Sequence, residues 1–286
     1  MQLAKRKIGQ PSTQTIHATH RQLDTRLPYF SKPYLAEAQF EKEVWRGKLP
    51  PPTLRPNSYG FRPGRSCQDA VEAIFLAIKS KAKYVLDADI AKCFDRIDHE
   101  ALLKKLKTSP TIRRQIRAWL KAGAIDTGQL FPTSEGTPQG GVISPLLANI
   151  ALHGMEERIK SFVETCDIKR SNGIYQLPKR EKLGSISLIR YADDFVILHE
   201  DITVVQRCRD IISEWLKDIG LELKPSKTRV THTLEEYGAE KPGFDFLGFH
   251  IQQHSVGKYR TGLNAKGEPL GFKTIITPSS EKCKEH

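Results

Sequence analysis

Asp193 and Asp194 stand side by side in ISLIRYADDFVILHE, residues 186–200, between two short apolar runs. Ile186, Leu188 and Tyr191 before them and Phe195 to Leu198 after them predict two strands joined by a tight turn. Adjacent carboxylates at a hairpin tip repel each other unless a cation neutralises them. Oxygen ligands of this kind suit a hard divalent ion such as Mg2+. Taken alone, the pair reads more readily as a solvated turn. A second segment, KYVLDADIAKCFDRIDH at residues 83–99, changes that balance. It opens on an apolar run, carries Asp89 near its end and then turns polar. This predicts a buried strand delivering Asp89 at its carboxyl end, then a helix capped by Asp98 with Leu102, Leu103 and Leu106 on its buried face. In one sheet, Asp89 would face Asp193 and Asp194 across a pair of metals. That arrangement suits phosphoryl transfer, with one metal activating an attacking hydroxyl and the other steadying the leaving group. Asp89 by itself would read as a strand-end or capping residue.

The elements that must hold these acids follow from periodicity and punctuation. Ser66 with Asp69 predicts a capping box, and Val71, Ile74, Phe75 and Ile78 form an apolar stripe behind it. Ser109-Pro110 opens a basic helix carrying Arg113, Arg114, Arg117 and Lys121, which Gly123 ends. A helix over about 145–162 follows the glycine-rich turn at 136–141, and 169–184 reads as a polar basic loop. Residues 203–217 form an amphipathic helix with Val204, Cys208, Ile211, Ile212 and Trp215 on one face. Strands at 221–224 and 244–252 follow, with a hairpin turn near 264–267. Residues 1–56 are polar and basic and end in LPPPTLRP, where consecutive prolines forbid regular structure; one short helix is expected over 36–45. A strand, helices, a strand hairpin, a helix and a strand match the split β-α-β layout of a ferredoxin-like α+β domain.

Composition bounds the function without fixing it. The chain has 45 Lys and Arg against 33 Asp and Glu, a formal net charge of +12. Such a balance suits a polyanionic partner, though many basic proteins bind no nucleic acid. Five cysteines, Cys67, Cys93, Cys166, Cys208 and Cys283, show no C-x-x-C pair and no zinc spacing. With an odd count and no signal peptide, they point to a reducing, cytoplasmic setting. No apolar run approaches a membrane span, so no membrane partner is expected.

Six blocks stand in order along the chain: NSYGFRPGRSCQDAV (57–71), LDADIAKCFDRIDH (86–99), EGTPQGGVISPLLANI (135–150), RYADD (190–194), GLELKPSKTRV (220–230) and FLGF (246–249). Together they resemble the reverse transcriptases encoded by group II introns and related bacterial retroelement enzymes. The resemblance implies the ferredoxin-like palm of a right-hand polymerase with partial fingers. It divides the chain into a divergent N-terminal segment (1–56), partial fingers (57–82), palm (83–273) and C-terminal tail (274–286). It also implies an RNA-directed DNA polymerase that adds dNTPs to the 3′ hydroxyl of a DNA primer on an RNA template. Two Mg2+ ions, or Mn2+ in their place, would serve it, and intron RNA is a further partner.

The resemblance assigns roles to individual residues. Asp89, Asp193 and Asp194 become the metal carboxylates, with the Ile90 carbonyl as an extra ligand. Phe94 falls where the family carries an aromatic steric gate against a 2′ hydroxyl; otherwise it is a core phenylalanine. Gln139 would hydrogen-bond the incoming nucleotide, while Gly140 and Gly141 let the backbone approach the templating pair. Lys227 matches a lysine able to protonate departing pyrophosphate, or it is a surface lysine. Arg62 and Arg65 could grip template or triphosphate oxygens as forks, or bind local carbonyls. The R-P-L-G-I-P-type fingertip block expected before Ser58 is absent, as are a helical thumb and an H-N-H tail after FLGF. The sequence therefore predicts a polymerase core truncated at fingers and thumb, with weakened grip on primer and template. An inactive RNA-binding remnant or maturase fragment is the alternative. A different palm enzyme, such as an RNA polymerase or nucleotide cyclase, is disfavoured by Phe94 and TPQGG.

Overall fold

The computed structural model describes residues 57–106, 108–121, 124–126, 129–131, 135–137, 143–168, 176–257, 259–264 and 267–280. The helix expected over 36–45 and the stop at Gly123 lie outside them. In chain order the elements are α1 (Cys67–Ile78), β1 (Tyr84–Asp89), α2 (Cys93–Arg96), α3 (His99–Lys105), α4 (Pro110–Lys121), β2 (Ala124–Asp126), β3 (Gln129–Phe131), α5 (Ser144–Ala151), α6 (Met155–Thr165), α7 (Lys179–Ser185), β4 (Ser187–Tyr191), β5 (Asp194–His199), α8 (Ile202–Lys217), a 3-10 turn (Pro225–Lys227), β6 (Arg229–His232), β7 (Phe244–Phe246), β8 (Phe249–Ser255) and β9 (Phe272–Pro278).

The central sheet has the order β4-β5-β1-β6, antiparallel throughout. With helices crossing from β1 to β4 and α8 crossing from β5 to β6, this is the ferredoxin-like arrangement. Strand alternation divides the core in two. Leu86, Ala88, Ile90, Phe195 and Ile197 point to the face covered by α3, α5, α6 and α8. Val85, Val196 and Leu198 point the other way, into a smaller core with α1, Phe244, Phe246 and Ile251. Asp87 and Asp89 share the Val85 face by the same period. The helices start where their caps direct: Ser66 and Asp69 form the reciprocal box on α1, Asp98 caps α3 and Asp201 caps α8.

Four expectations give way to the structure. The helix foreseen over 145–162 is broken into α5 and α6 at Gly154, whose φ of 100° no helix interior accepts. Residues 221–224 make a single bridge, Ile90 to Leu223, through Lys224 N–H to the Asp89 carbonyl at 2.8 Å and Ala91 N–H to the Glu222 carbonyl at 2.9 Å; Pro225 then stops the segment, and the edge strand is β6 instead. The 244–252 strand is two strands, divided at Leu247 and Gly248, both at positive φ. Residues 179–185 form a helix where a loop was expected. Strand β9 runs from Phe272 to Pro278. That strand pairs with β8 across the turn at Asn264, whose carbonyl accepts the Gly267 N–H at 3.0 Å.

Gln253 joins these parts. It is fully buried; its Oε1 accepts from Thr233 Oγ1 at 2.6 Å and its Nε2 donates to the Ile78 carbonyl at 2.8 Å. Thr233 Oγ1 in turn accepts from Lys83 N–H at 2.9 Å. The end of α1, the start of β1 and strand β8 are thus fixed to one another by a satisfied buried network.

Candidate active site

The β1–β5 ladder sets Asp89 directly opposite Asp194, and Ile90 N–H donates to the Asp193 carbonyl at 3.3 Å. Tyr191 pairs with Asp194, so Ala192 and Asp193 are the two turn residues and Asp194 opens β5. The three acids therefore lie together at one end of the two central strands. Ala192 holds a φ of 57°, the left-handed value a tight hairpin demands of its first central residue.

The electrostatics are those of a site awaiting positive charge. Burial raises the Asp193 carboxyl above its ordinary value, and the Asp89 charge adds to this. Asp194 is pushed up to about 6, first by burial and then by Asp89 and Asp193. Lys227 Nζ sits 3.1 Å from Asp89 Oδ2, and Lys224 Nζ lies 3.9 Å from the same oxygen. The hydrogen bond to Asp89 raises the Lys227 ammonium above its usual range. Among the described residues, no three His, Cys, Asp or Glu side chains converge as a ready metal cage. Carboxylates without a cation repel one another, and Lys227 is what neutralises Asp89 here. Buried, mutually repelling oxygen donors are the donor set that a hard divalent ion relieves, so these residues fit one.

A pH test follows. Because the Asp194 pKa is raised to about 6, the folded chain binds its proton more tightly than the unfolded chain does. The stabilisation from that proton is present below the unfolded value and is lost as pH rises through about 6. Asp194→Asn is therefore expected to raise the melting temperature of the metal-free protein at pH ~7 but not at pH ~5. Thermal scans in chelator at the two pH values check this; an equal shift at both contradicts it.

The cleft over these acids has a volume of ≈ 440 Å³ and is lined by Asp87, Asp89, Asp194, Lys227, Arg229 and the Phe246–Gly248 turn, among others. Sequence reasoning missed Asp87 and Arg229. Burial pushes Asp87 up to about 6, while Arg229 Nε, 3.0 Å away, draws it down. The signal was in the sequence: an acid two residues before Asp89 must share its face.

Phe94, on α2, is half-buried, and its ring meets that of Phe61 edge-on at 5.9 Å and 81°. Its carbonyl accepts from Thr137 N–H at 2.6 Å. His99 Nε2 bonds the Gly136 carbonyl at 2.5 Å, and a Cβ at Gly136 would meet the Asp95 carbonyl oxygen at 2.5 Å. The base of the TPQGG segment is thus docked on α2 and α3. Gln139, Gly140 and Gly141 lie outside the described residues. Arg62 Nη1 donates to the Ser58 carbonyl at 2.6 Å, which realises the local-carbonyl alternative for this contact. Arg65 stacks over Tyr59, 5.3 Å from its ring centroid.

Arg190 was not foreseen in any role. It is 4% exposed, and its two Nη atoms reach Ala192 O at 2.6 Å and Ser58 Oγ at 2.8 Å.

Comparison with known proteins agrees with this geometry. The family described as "Reverse transcriptase (RNA-dependent DNA polymerase)" matches residues 38–251, beginning ahead of the first motif block. "Protein YkfC" of Escherichia coli K12 is 31% identical over 217 residues, covering 68% of this chain and 54% of that protein. "Group II intron-encoded protein LtrA" of Lactococcus lactis subsp. cremoris is 29% identical over 292 residues, covering 82% of this chain and 46% of that protein. The chain spans about half the length of these two curated relatives. Among solved structures, apo telomerase from Candida tropicalis, truncated from its C-terminal domain, superposes with a TM-score of 0.55 at 16% identity. The match covers 85% of this chain and 45% of that one, and it supports the fold.

Proposed function

Since the chain belongs to the reverse transcriptase (RNA-dependent DNA polymerase) family, of group II intron type, we propose that it carries the catalytic palm of an RNA-directed DNA polymerase. The observation that carries this reading is the pairing of Asp89 with Asp194, beside the Asp193 turn, under a cleft that also holds Lys227. The substrates are a DNA primer, an RNA template and dNTPs, and intron RNA is a further partner.

Reverse transcriptases depend on divalent metal. Asp89, Asp193 and Asp194 would hold two Mg2+ ions, or Mn2+, which polarise the attacking 3′ hydroxyl and neutralise charge on the leaving pyrophosphate. The other steps belong to the chain itself. Lys227, kept protonated by Asp89, has a proton to give the departing pyrophosphate. The Phe94 ring, braced by Phe61, lies under the sugar and excludes a 2′ hydroxyl. Arg65 and the edge of Arg62 turned away from Ser58 meet triphosphate or template oxygens. Gln139 and Gly140, following the docked Gly136–Thr137 base, contact the incoming nucleotide.

The described cysteines Cys67, Cys93, Cys166 and Cys208 are free thiols, in keeping with a cytoplasmic setting. No described helix is long and apolar enough to cross a membrane.

The test is incorporation of labelled dNTP onto a DNA primer annealed to RNA, with Mg2+ and with chelator. Incorporation that chelator abolishes is expected. RNA binding without incorporation by the folded chain would make it a binding remnant or maturase fragment.

A further inference from the structure

We infer that Arg190 is a positioning residue: by clamping the Ala192 carbonyl to Ser58, it fixes the backbone of the Asp193 turn and so sets the metal affinity of the site. This rests on the metal-site reading above and adds to it the part that holds the turn in shape.

The turn needs holding. Ala192 is a non-glycine residue at positive φ, a strained conformation that persists only where its surroundings enforce it. Three contacts enforce it from one side. Residues 57–59 run beside Arg190 as a parallel bridge, with Arg190 N–H donating to the Asn57 carbonyl and Tyr59 N–H donating to the Arg190 carbonyl, both at 2.9 Å. Gly60 then passes so close that a Cβ there would lie 2.3 Å from Ala192 N. Asn149 Nδ2 holds the Gly60 carbonyl at 3.0 Å, which fixes this segment to α5.

The guanidinium closes the assembly. One Nη takes the Ala192 carbonyl and the other takes the Ser58 hydroxyl, while the Ser58 carbonyl accepts from Arg62. Among the described residues no direct ion pair is formed by Arg190, although the Asp193 charge acts on it, so its closest partners are the two neutral acceptors. An apolar side chain would serve packing at less desolvation cost. What arginine supplies is a rigid fork, with donors at fixed spacing, joining the Ala192 carbonyl to the hydroxyl of Ser58, which lies 132 residues from Arg190 itself. Lysine keeps the charge but gathers its donors on one nitrogen and lacks the fixed spacing of the two Nη atoms. The chain linking Arg62, Ser58, Arg190 and Ala192 also ties a candidate triphosphate contact to the metal turn.

The experiment is Mn2+ binding followed by electron paramagnetic resonance, without nucleotide or template, on the full chain. Wild type is compared with Arg190→Lys, Ser58→Ala, Asp193→Asn and, as a stability control, Leu216→Ala in α8. Arg190→Lys is expected to weaken Mn2+ binding by about tenfold or more, as loss of an orienting partner does. Ser58→Ala weakens it less, and it carries the test should the lysine variant fail to fold. Leu216→Ala lowers the melting temperature but leaves Mn2+ affinity unchanged. In steady state, Arg190→Lys raises the Mg2+ needed for half-maximal rate by a larger factor than it raises the KM for dNTP.

Wild-type affinity in both Arg190→Lys and Ser58→Ala, or equal weakening in Leu216→Ala, overturns the inference while leaving the metal site standing. Binding that Asp193→Asn does not weaken, or no binding by wild type, sinks the metal-site reading and the inference with it.

Discussion

Asp193→Asn is expected to lower the rate of deoxynucleotide incorporation by at least about a thousandfold, with RNA affinity unchanged. The substitution keeps size and hydrogen-bonding capacity but removes one of three charges at the end of β1 and β5. A carboxylate raised by its burial, and further by the Asp89 charge, is destabilising to the free chain. It is worth retaining where a cation is bound during the reaction. Single-turnover incorporation, alongside filter binding of the RNA, separates the two quantities. A loss of RNA affinity in proportion to rate would mean that Asp193 shapes the fold instead of the chemistry.

Phe94→Ala should relax sugar discrimination, raising ribonucleotide use relative to deoxynucleotide by about a hundredfold. The ring is half-buried and held edge-on by Phe61. A braced ring gives way little when a hydroxyl presses on it, and a 2′ hydroxyl adds a clash without offering a bond. Truncation to alanine removes the obstacle while the buried Cys93 before it and the buried Ile97 three residues after it keep this stretch seated. The ratio of kcat/KM for dNTP and NTP is the readout. An unchanged ratio, with the protein folded, would return Phe94 to the role of core residue.

Much of this was legible from local pattern. The β1 run and the β4–β5 hairpin are short, apolar and bounded by polar turns, so their ends fell where the acids are. Ser66 and Asp98 sit where helix caps must, and α8 buries Val204, Cys208 and Ile212 of its expected face, with Val205 and Leu216 more deeply buried than the expected Ile211 and Trp215. What stayed hidden depends on distant partners. The Arg190 fork is explained only by Ser58 and Ala192, and Gly60 only by its approach to Ala192. Lys227 had a role by resemblance alone until the Pro225–Lys227 turn, anchored at the Asp89 carbonyl through Lys224, brought it to the carboxylate. The 221–224 segment shows the reverse error: Leu221 and Leu223 alternate like a strand, but the proline after Lys224 limits it to one bridge.

The most direct measurement is sequencing of the product made from a DNA primer on a heteropolymeric RNA by the purified chain, dNTPs and Mg2+. The predicted result is DNA complementary to the template in wild type and none in Asp193→Asn. A folded wild-type chain that binds this primer–template with Mg2+ present yet adds no templated deoxynucleotide would contradict the assignment of Asp89, Asp193 and Asp194 as a polymerase site.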